Sequence, residues 1–349
     1  MSSGVTLEAH TGQPTSVELD EWAEYLASAV RRGFFGDLGV GESADDWTAL
    51  MRQWWTTNPY VDDTTTVALL VRSDGRVVGF HGLIPVEYSL NGDPLPTLMA
   101  TTFVVDPDFR GHSMKVFRRV AKLGARNQIV DGSATEDMRT VLDAAGWSFV
   151  AGEVSRSVVV RPRGPVARLR SIALIAARWA VRPDAVSLPP GTRWVTDARH
   201  HDDPLPTADD VVRPPTERRF VEWIMSNGAH PRVYVGLADS EGRRLAYAVL
   251  EHRMRSFGTC VVRAVDGAGT EGSVSLSALL MAAAANPEAA GLPAGAAVVR
   301  WSELDGSDDD DDVDDGAASD SRRVYYRLPG ALTDRRREAR ATESDDVWF

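Results

Sequence analysis

The chain has 349 residues, a length that accommodates two ordinary domains, and 43% of them are hydrophobic, enough for a buried core. The net charge of −12 argues against a nucleic-acid binder, because neutralising phosphates requires basic surface. The single cysteine, Cys260, excludes a disulfide framework and a cysteine-rich metal site, and we interpret it as a core thiol. Without a long apolar run or a secretory signal, we expect a cytoplasmic protein with no membrane partner.

The basic residues are almost all arginine, since only Lys115 and Lys122 of the 38 basic residues are lysines. A GC-rich genome that favours arginine codons is one explanation. A high-salt cytoplasm, in which acidic surface keeps proteins dissolved, is the other, and we favour it. The acidic run Asp308–Asp315 is expected to be a solvated loop.

Residues 1–45 are mostly polar and are predicted to form an N-terminal extension with one helix near Glu18–Arg31. A second helix carries Trp54 and Trp55, which we interpret as packing residues, and ends at Asn58-Pro59. Strands follow up to Val105, with hairpin turns predicted at Ser73-Asp74-Gly75 and Asn91-Gly92-Asp93. Pro85 is expected to interrupt one of these strands.

The segment VVDPDFRGHSMK, from Val104 to Lys115, is predicted to pass from a strand directly into a helix. Such a corner leaves the first helical N–H groups unpaired and carries the positive end of the helix dipole. Gly111 lets a ligand approach the backbone, and Arg110 adds positive charge. The pattern therefore predicts a phosphate-binding corner.

This segment resembles the motif by which the GNAT superfamily of acyl-CoA N-acyltransferases binds the pyrophosphate of acetyl-CoA. The matching residues are Val105, Pro107, Arg110 and Gly111. The similarity extends over about residues 46–160, from WWTTNP to the Gly146-Trp147 pair that closes a predicted helix at 135–145. It implies an α+β fold of two tandem GNAT-like domains, each with a mixed central sheet flanked by helices.

The resemblance also implies which residues bind the acyl donor, and a backbone N–H near Phe103–Val105 that polarises the carbonyl. The implied cofactor-binding residues are Val104, Val105, Arg110, Gly111, His112, Ser113, Met114, Lys115 and Thr135. The chain departs from the family pattern in four places, one of which is Thr135, where the family often has an asparagine that contacts CoA. Ser113 and Lys115 replace glycines of the motif, and Leu142 stands where many members carry a tyrosine that protonates the departing thiolate.

The amine needs a general base, and we take His81 and Glu87 as the catalytic candidates because both lie on strands before the corner. They are six residues apart, an even number that places them on one face of an unbroken strand. An ordinary strand histidine and a solvated carboxylate are the simpler interpretations of the two.

The second half repeats part of the pattern. Trp223 and Gly242 follow Trp55 and Gly75 by 168 and 167 residues, with an aromatic helix end, a strand, an acidic-glycine turn and a strand in each copy. We therefore predict a GNAT-like domain at 46–160, a bridging helix and linker at 161–204, a degenerate GNAT-like domain at 205–305, and an acidic loop with a C-terminal segment at 306–349. The degenerate copy lacks an Arg-Gly corner.

Three functions remain open. The first is acetyl transfer from acetyl-CoA to a small-molecule amine, such as an amino sugar or amino acid derivative, by direct transfer in a ternary complex. The second is a Fem-type aminoacyl transferase, which the acidic composition disfavours. The third is a non-catalytic CoA-binding protein, favoured by Leu142. The acceptor and the oligomeric state do not follow from one sequence.

Overall fold

A computed structural model describes residues 4–34, 43–90, 93–134, 142, 147–162, 165–176, 180, 182, 186, 188–200, 212–213, 216–226, 231–255, 259–269, 274–293, 295–305 and 323–327. The strands, in chain order, are β1 Val5–Thr11, β2 Thr66–Ser73, β3 Arg76–Leu90, β4 Asp93–Val105, β5 Gln128–Ala134, β6 Ser148–Val159, β7 Arg193–Val195, β8 Val212–Arg213, β9 Arg232–Ala238, β10 Arg244–Arg255, β11 Thr259–Gly269, β12 Ala296–Asp305 and β13 Arg323–Arg327. The α-helices are α1 Ser16–Arg31, α2 Ala44–Met51, α3 Ser113–Leu123, α4 Pro165–Ala176, α5 Arg218–Met225 and α6 Leu276–Ala285.

The chain divides into two compact units. The first holds the described residues up to Val150 together with β13, and the second holds those from Ala151 to Asp305. The predicted helix at 135–145 and the acidic run at Asp308–Asp315 lie outside the described residues, apart from Leu142. No helix in the described part of the chain has the length and apolar content needed to cross a bilayer.

The first unit contains a mixed sheet in the order β1-β2-β3-β4-β5-β13, in which only β4 and β5 are parallel. The second contains a mixed sheet in the order β7-β9-β10-β11-β12-β6, in which only β11 and β12 are parallel. The two orders are the same when β1 is matched to β7 and β13 to β6. The predicted α+β class with a mixed sheet in each half is confirmed.

The N-terminal segment contributes more than the predicted helix. α1 begins with a capping box, in which the Thr15 side chain accepts from the Glu18 N–H and Glu18 accepts from the Thr15 N–H at 2.8 Å. β1 was not predicted, yet it pairs along its length with β2. The segment interpreted as an extension therefore supplies an edge strand to the first sheet.

Tryptophans form much of the first core. Trp54 and Trp55 are buried at the end of the second helical segment, as expected of packing residues. Trp55 donates from Nε1 to the Leu83 carbonyl at 2.9 Å, and its ring lies 5.7 Å from that of Trp22 on α1. These contacts hold α1 and the Trp55 segment against β3.

β3 continues through Pro85, which pairs with Leu98 on β4, so the predicted strand break was wrong. Pairing between β2 and β3 ends at Gly82, and Pro85 therefore needs no N–H for a β2 partner. Its carbonyl accepts from Asn58 Nδ2 at 2.9 Å. The two-residue turn at Asp74-Gly75 is confirmed, with φ of 51° and 80° as a type I′ hairpin requires.

Candidate functional site

β4 carries a β-bulge near its C-terminal end. Phe80 pairs with Val104 and Gly82 pairs with Thr101, so two residues, Thr102 and Phe103, oppose one residue of β3. Thr102 has φ of 52°, a left-handed conformation that is costly for a β-branched residue. A strained bulge that persists here is typical of a functional site.

The sheet opens at the same place. β4 and β5 pair from Thr97–Gln128 to Ala100–Asp131, and no further β4–β5 pair follows among the described residues. The bulge begins directly after Ala100. The backbone N–H and C=O groups at the C-terminal end of β4 that point away from β3 therefore face this opening and not a β5 partner.

The chain leaves β4 through a 3-10 turn at Pro107–His112, which continues into α3. The helical run therefore begins at Pro107, three residues earlier than the predicted corner. Because the Ser113 N–H donates to the Arg110 carbonyl, that amide is already paired within the chain. Arg110 and Gly111 are exposed, and a Cβ added at Gly111 meets no atom within 4 Å.

The corner is strongly basic for this acidic chain. From Phe109 to Val130 the sequence has six lysines and arginines and no acidic residue, and both lysines of the protein lie on α3. Within α3 only Val116 and Val120 are buried, so Lys115 and its cationic neighbours face solvent. Lys115 Nζ lies 3.3 Å from His112 Nδ1, and the Met114 side chain is exposed. This surface favours an anion.

α1 fixes the start of the corner. The Asp106 carboxylate accepts from Tyr25 Oη at 3.1 Å and pairs with Arg32 at 3.0 Å. Burial, with Asp106 beside it, raises the pKa of Tyr25, which therefore stays a hydrogen-bond donor. Arg32 offsets a negative charge that would otherwise repel an anionic ligand. No sequence signal pointed to these contacts, because the partners are 81 and 74 residues apart.

The two predicted base candidates lie at different ends of β3. His81 is opposite the bulge, whereas Glu87 pairs with Pro96 near the start of β4. Six residues of strand span about 20 Å, so both groups cannot serve one amine. Glu87 is partly buried and lies far from the bulge, which argues against a role there.

His81 is buried, and its ring makes an edge contact with Phe103 at 5.3 Å. Desolvation lowers its pKa to about 4, against a smaller opposing effect of a hydrogen bond with the Thr101 backbone. Nδ1 has no hydrogen-bond partner among the described residues. A neutral imidazole of such low basicity takes a proton from an ammonium group poorly at neutral pH.

Val104, Val105 and Thr135 are the remaining predicted cofactor-binding positions. Val104 and Val105 are buried at the end of β4, paired with Phe80 and Gly79, whereas Thr135 lies outside the described residues. Leu142 is fully buried in the core with Val116. The position that the resemblance matches to the family's tyrosine therefore carries no proton donor.

The second unit has a bulge and an end of parallel pairing like those of the first unit, but not a basic corner. β10 and β11 are paired at Val249–Asp266 and Leu250–Ala264, which leaves one extra residue, Val265, in β11. Pairing of β11 with β12 ends at Arg263–Arg300, directly before this bulge.

In the second unit, two glycines that follow the bulge leave no space for a side chain. A Cβ at Gly267 would lie 2.6 Å from Leu276 Cδ1, and one at Gly269 would overlap the Val274 carbonyl. α6 follows as an apolar helix with a buried face that includes Leu279 and Leu280.

No protein-family model and no curated protein matches the chain by sequence. Solved structures do match it by fold. A GCN5-related N-acetyltransferase from Anabaena variabilis superposes with a TM-score of 0.53 at 9% identity, covering 94% of this chain and 74% of its own. A "Probable N-Acyltransferase" from Enterococcus faecalis gives 0.52 at 11% identity, covering 95% and 74%. The chain has the GNAT fold. At these identities the likeness concerns the fold alone.

Proposed function

We propose that the protein is an acyl-CoA-dependent N-acyltransferase and that its first unit binds the acyl donor. The observation that carries this proposal is the coincidence, at one end of one sheet, of the β4 bulge, the β4–β5 opening and the basic corner. The opening presents backbone groups to a carbonyl, and the corner presents cations to a pyrophosphate. The GNAT fold of the chain supports the same assignment.

In this proposal the chain contributes positioning and electrostatics. Arg110 and Lys115 hold the pyrophosphate beside Gly111, where open space lets it reach the backbone. A backbone N–H of Phe103–Val105 donates to the acyl oxygen as negative charge develops there. The donor substrate supplies a thioester, whose acyl group passes directly to the amine.

Acetyl-CoA is the proposed donor and a small-molecule amine, such as an amino sugar or amino acid derivative, the proposed acceptor. Neither His81 nor Glu87 is well placed as the base, so we propose that the amine loses its proton to solvent, directly or through water in the opening. The departing thiolate likewise has no donor at Leu142. Both features predict slow turnover that rises with pH until the amine is neutral.

Calorimetric titration of the full chain with acetyl-CoA tests binding, and thiol release with a panel of amines tests transfer. We expect binding, and at least a 100-fold loss of affinity in Gly111→Val, because a valine side chain fills the approach to the backbone. Gly295→Val is the matched control, since Gly295 is also exposed and has no atom closer than 4.0 Å to an added Cβ. Unchanged affinity in Gly111→Val would contradict this placement of the donor.

A non-catalytic CoA-binding protein is the second candidate, and the buried Leu142 favours it. Binding of acetyl-CoA that Gly111→Val abolishes, with no thiol release from any amine between pH 7 and 10, would establish this alternative. Release above the rate of spontaneous hydrolysis would exclude it.

A further inference from the structure

The second unit contains a cavity of about 520 Å³, and the described residues that line it include none of the predicted site residues. Three arginines, Arg161, Arg168 and Arg182, contribute to its wall together with apolar residues that include Val159, Ile172 and Ala285. We call this cavity the arginine pocket. Its volume lies in the range of small-molecule sites, about 300–1,000 Å³.

The described lining of the arginine pocket carries positive charge without a paired acidic group. From Val160 to Pro183 the sequence has six arginines and no acidic residue, although the whole chain carries a net charge of −12. None of the described residues that line the cavity is acidic. The three guanidinium groups have no ion pair or side-chain hydrogen bond among the residues that the structure describes. Like charges gathered in a partly enclosed space create a positive potential that an anion relieves.

The wall between the arginines is apolar. Val159 packs with Ala180, Val261 and Val298 in a small buried cluster, which forms a rigid base. Ile172 on α4 lines the cavity and yet is 58% exposed. A ligand that covers Ile172 removes this apolar surface from water, so an anion with an attached apolar group fits better than a bare ion.

The arginine pocket lies away from the opening of its own sheet. Ala285 is the last residue of α6, and Val159 pairs with Val298 near the start of β12. The β11 bulge and the start of α6 are at the opposite end of the same elements. The pocket therefore does not correspond to the corner that we propose for acyl-CoA in the first unit.

We propose that the arginine pocket binds a small amphipathic phosphate, a phosphate monoester joined to a short apolar group. The guanidinium groups of Arg161, Arg168 and Arg182 donate to the phosphate oxygens, and the apolar group lies against Ile172 and Val159. A dianionic phosphate suits three cations better than a carboxylate. The half-enclosed cavity favours a single bound molecule over the surface of an anionic bilayer.

The test is calorimetric titration of the full chain with monomeric octyl phosphate, inorganic phosphate and octyltrimethylammonium. We expect octyl phosphate to bind, inorganic phosphate to bind at least about tenfold more weakly, and the cation not to bind. Arg168→Gln and Arg182→Gln should each weaken octyl phosphate binding by about tenfold. Ile172→Asp should weaken it further, because a carboxylate then competes for the arginines.

Arg243→Gln is the matched control, since Arg243 is exposed on the β9–β10 turn and should leave octyl phosphate affinity unchanged. Gly111→Val should also leave it unchanged, which separates this site from the proposed acyl-CoA site. Circular dichroism should show native folding in every variant, because the substituted side chains are all exposed.

Three results would overturn the proposal. One is equal affinity for octyl phosphate in the wild type and in an Arg168→Gln/Arg182→Gln double variant that remains folded. Another is equal binding of octyltrimethylammonium. The third is sedimentation with vesicles of three parts phosphatidylcholine to one part phosphatidylglycerol without binding of monomeric octyl phosphate, which would assign the arginines to a membrane surface.

Discussion

The two bulged strands, β4 and β11, share an arrangement of strand pairing, but the glycines and helices that follow them differ. In the first unit the space beside Gly111 is open, and the following helix, α3, displays lysines and arginines. In the second unit a Cβ added at Gly267 would lie 2.6 Å from Leu276 Cδ1 and 2.8 Å from the Tyr247 carbonyl oxygen, and α6 is apolar. A glycine before a helix therefore occurs in two different settings: beside open space in the first unit and beside a closely packed side chain in the second.

This difference shows why a glycine-rich stretch is a weak signal without the packing around it. The absence of an Arg-Gly pair in the second half was the reason to predict a degenerate copy of the first domain there. The bulge at Val265 and the end of β11–β12 pairing show that its strands still follow the first unit closely. The divergence lies in the corner and the side chains.

Gly267→Val should have the largest effect on folding. The added side chain overlaps backbone as well as Leu276, so we expect the second unit to lose about 3 kcal/mol of stability in urea unfolding. Variants at Gly267 or Gly269 are therefore unsuitable controls for CoA affinity, because they disturb packing. Gly111→Val should unfold with the same midpoint urea concentration as the wild type, because the added side chain meets open space. Equal stability of the two variants would show that the corners do not differ as described.

The second prediction uses His81, the titratable residue of β3 that lies opposite the first bulge. Burial lowers the pKa of His81 to about 4, so between pH 4 and 6.5 the unfolded chain binds a proton that the folded chain does not. Stability should therefore fall as pH drops through this range, by about 3 kcal/mol in total. The residues of β10 opposite the second bulge, Val249 and Leu250, do not titrate.

His81→Gln should remove this part of the pH dependence, whereas His252→Gln in the second unit should keep it. Urea unfolding at pH 4.5 and pH 7 measures the difference for each variant. An unchanged pH dependence in folded His81→Gln would mean that another group causes the acid sensitivity.

The sequence predicts the structure where local chemistry determines it. It gives no signal where contacts between residues far apart in the chain determine it. The turn at Asp74-Gly75 and the helix around Trp22 follow from short-range patterns, whereas the mixed sheets were expected from the resemblance to the GNAT superfamily. The contact of Tyr25 with Asp106 joins residues 81 positions apart, and the positive φ of Thr102 contradicts its intrinsic preference. Neither could be predicted from spacing, because tertiary packing imposes both.

Arg110→Ala should have a smaller effect at the first corner. Arg110 is exposed, and an exposed ionic contact contributes little because solvent screens it, so we expect CoA affinity to fall about fivefold or less. Arg219→Ala, an exposed arginine beside Glu217 in the second unit, should leave it unchanged. A loss of 100-fold in Arg110→Ala, measured by calorimetry, would make the side chain and not the backbone the main determinant.

The last prediction concerns salt, which should stabilise the acidic chain and weaken the binding of acetyl-CoA at the basic corner. If the net charge of −12 reflects adaptation to high salt, repulsion among the acids destabilises the chain in dilute buffer, and the melting temperature should rise by a few degrees between about 0.1 M and 2 M KCl. Acetyl-CoA affinity should fall over the same range, because screening weakens the attraction of the basic corner for phosphate. Sodium chloride serves as the matched salt, since screening depends on ionic strength and not on the cation. A melting temperature that stays flat or falls would instead favour codon bias as the origin of the scarce lysines, and CoA affinity insensitive to salt would show that the cations of α3 do not contribute to binding.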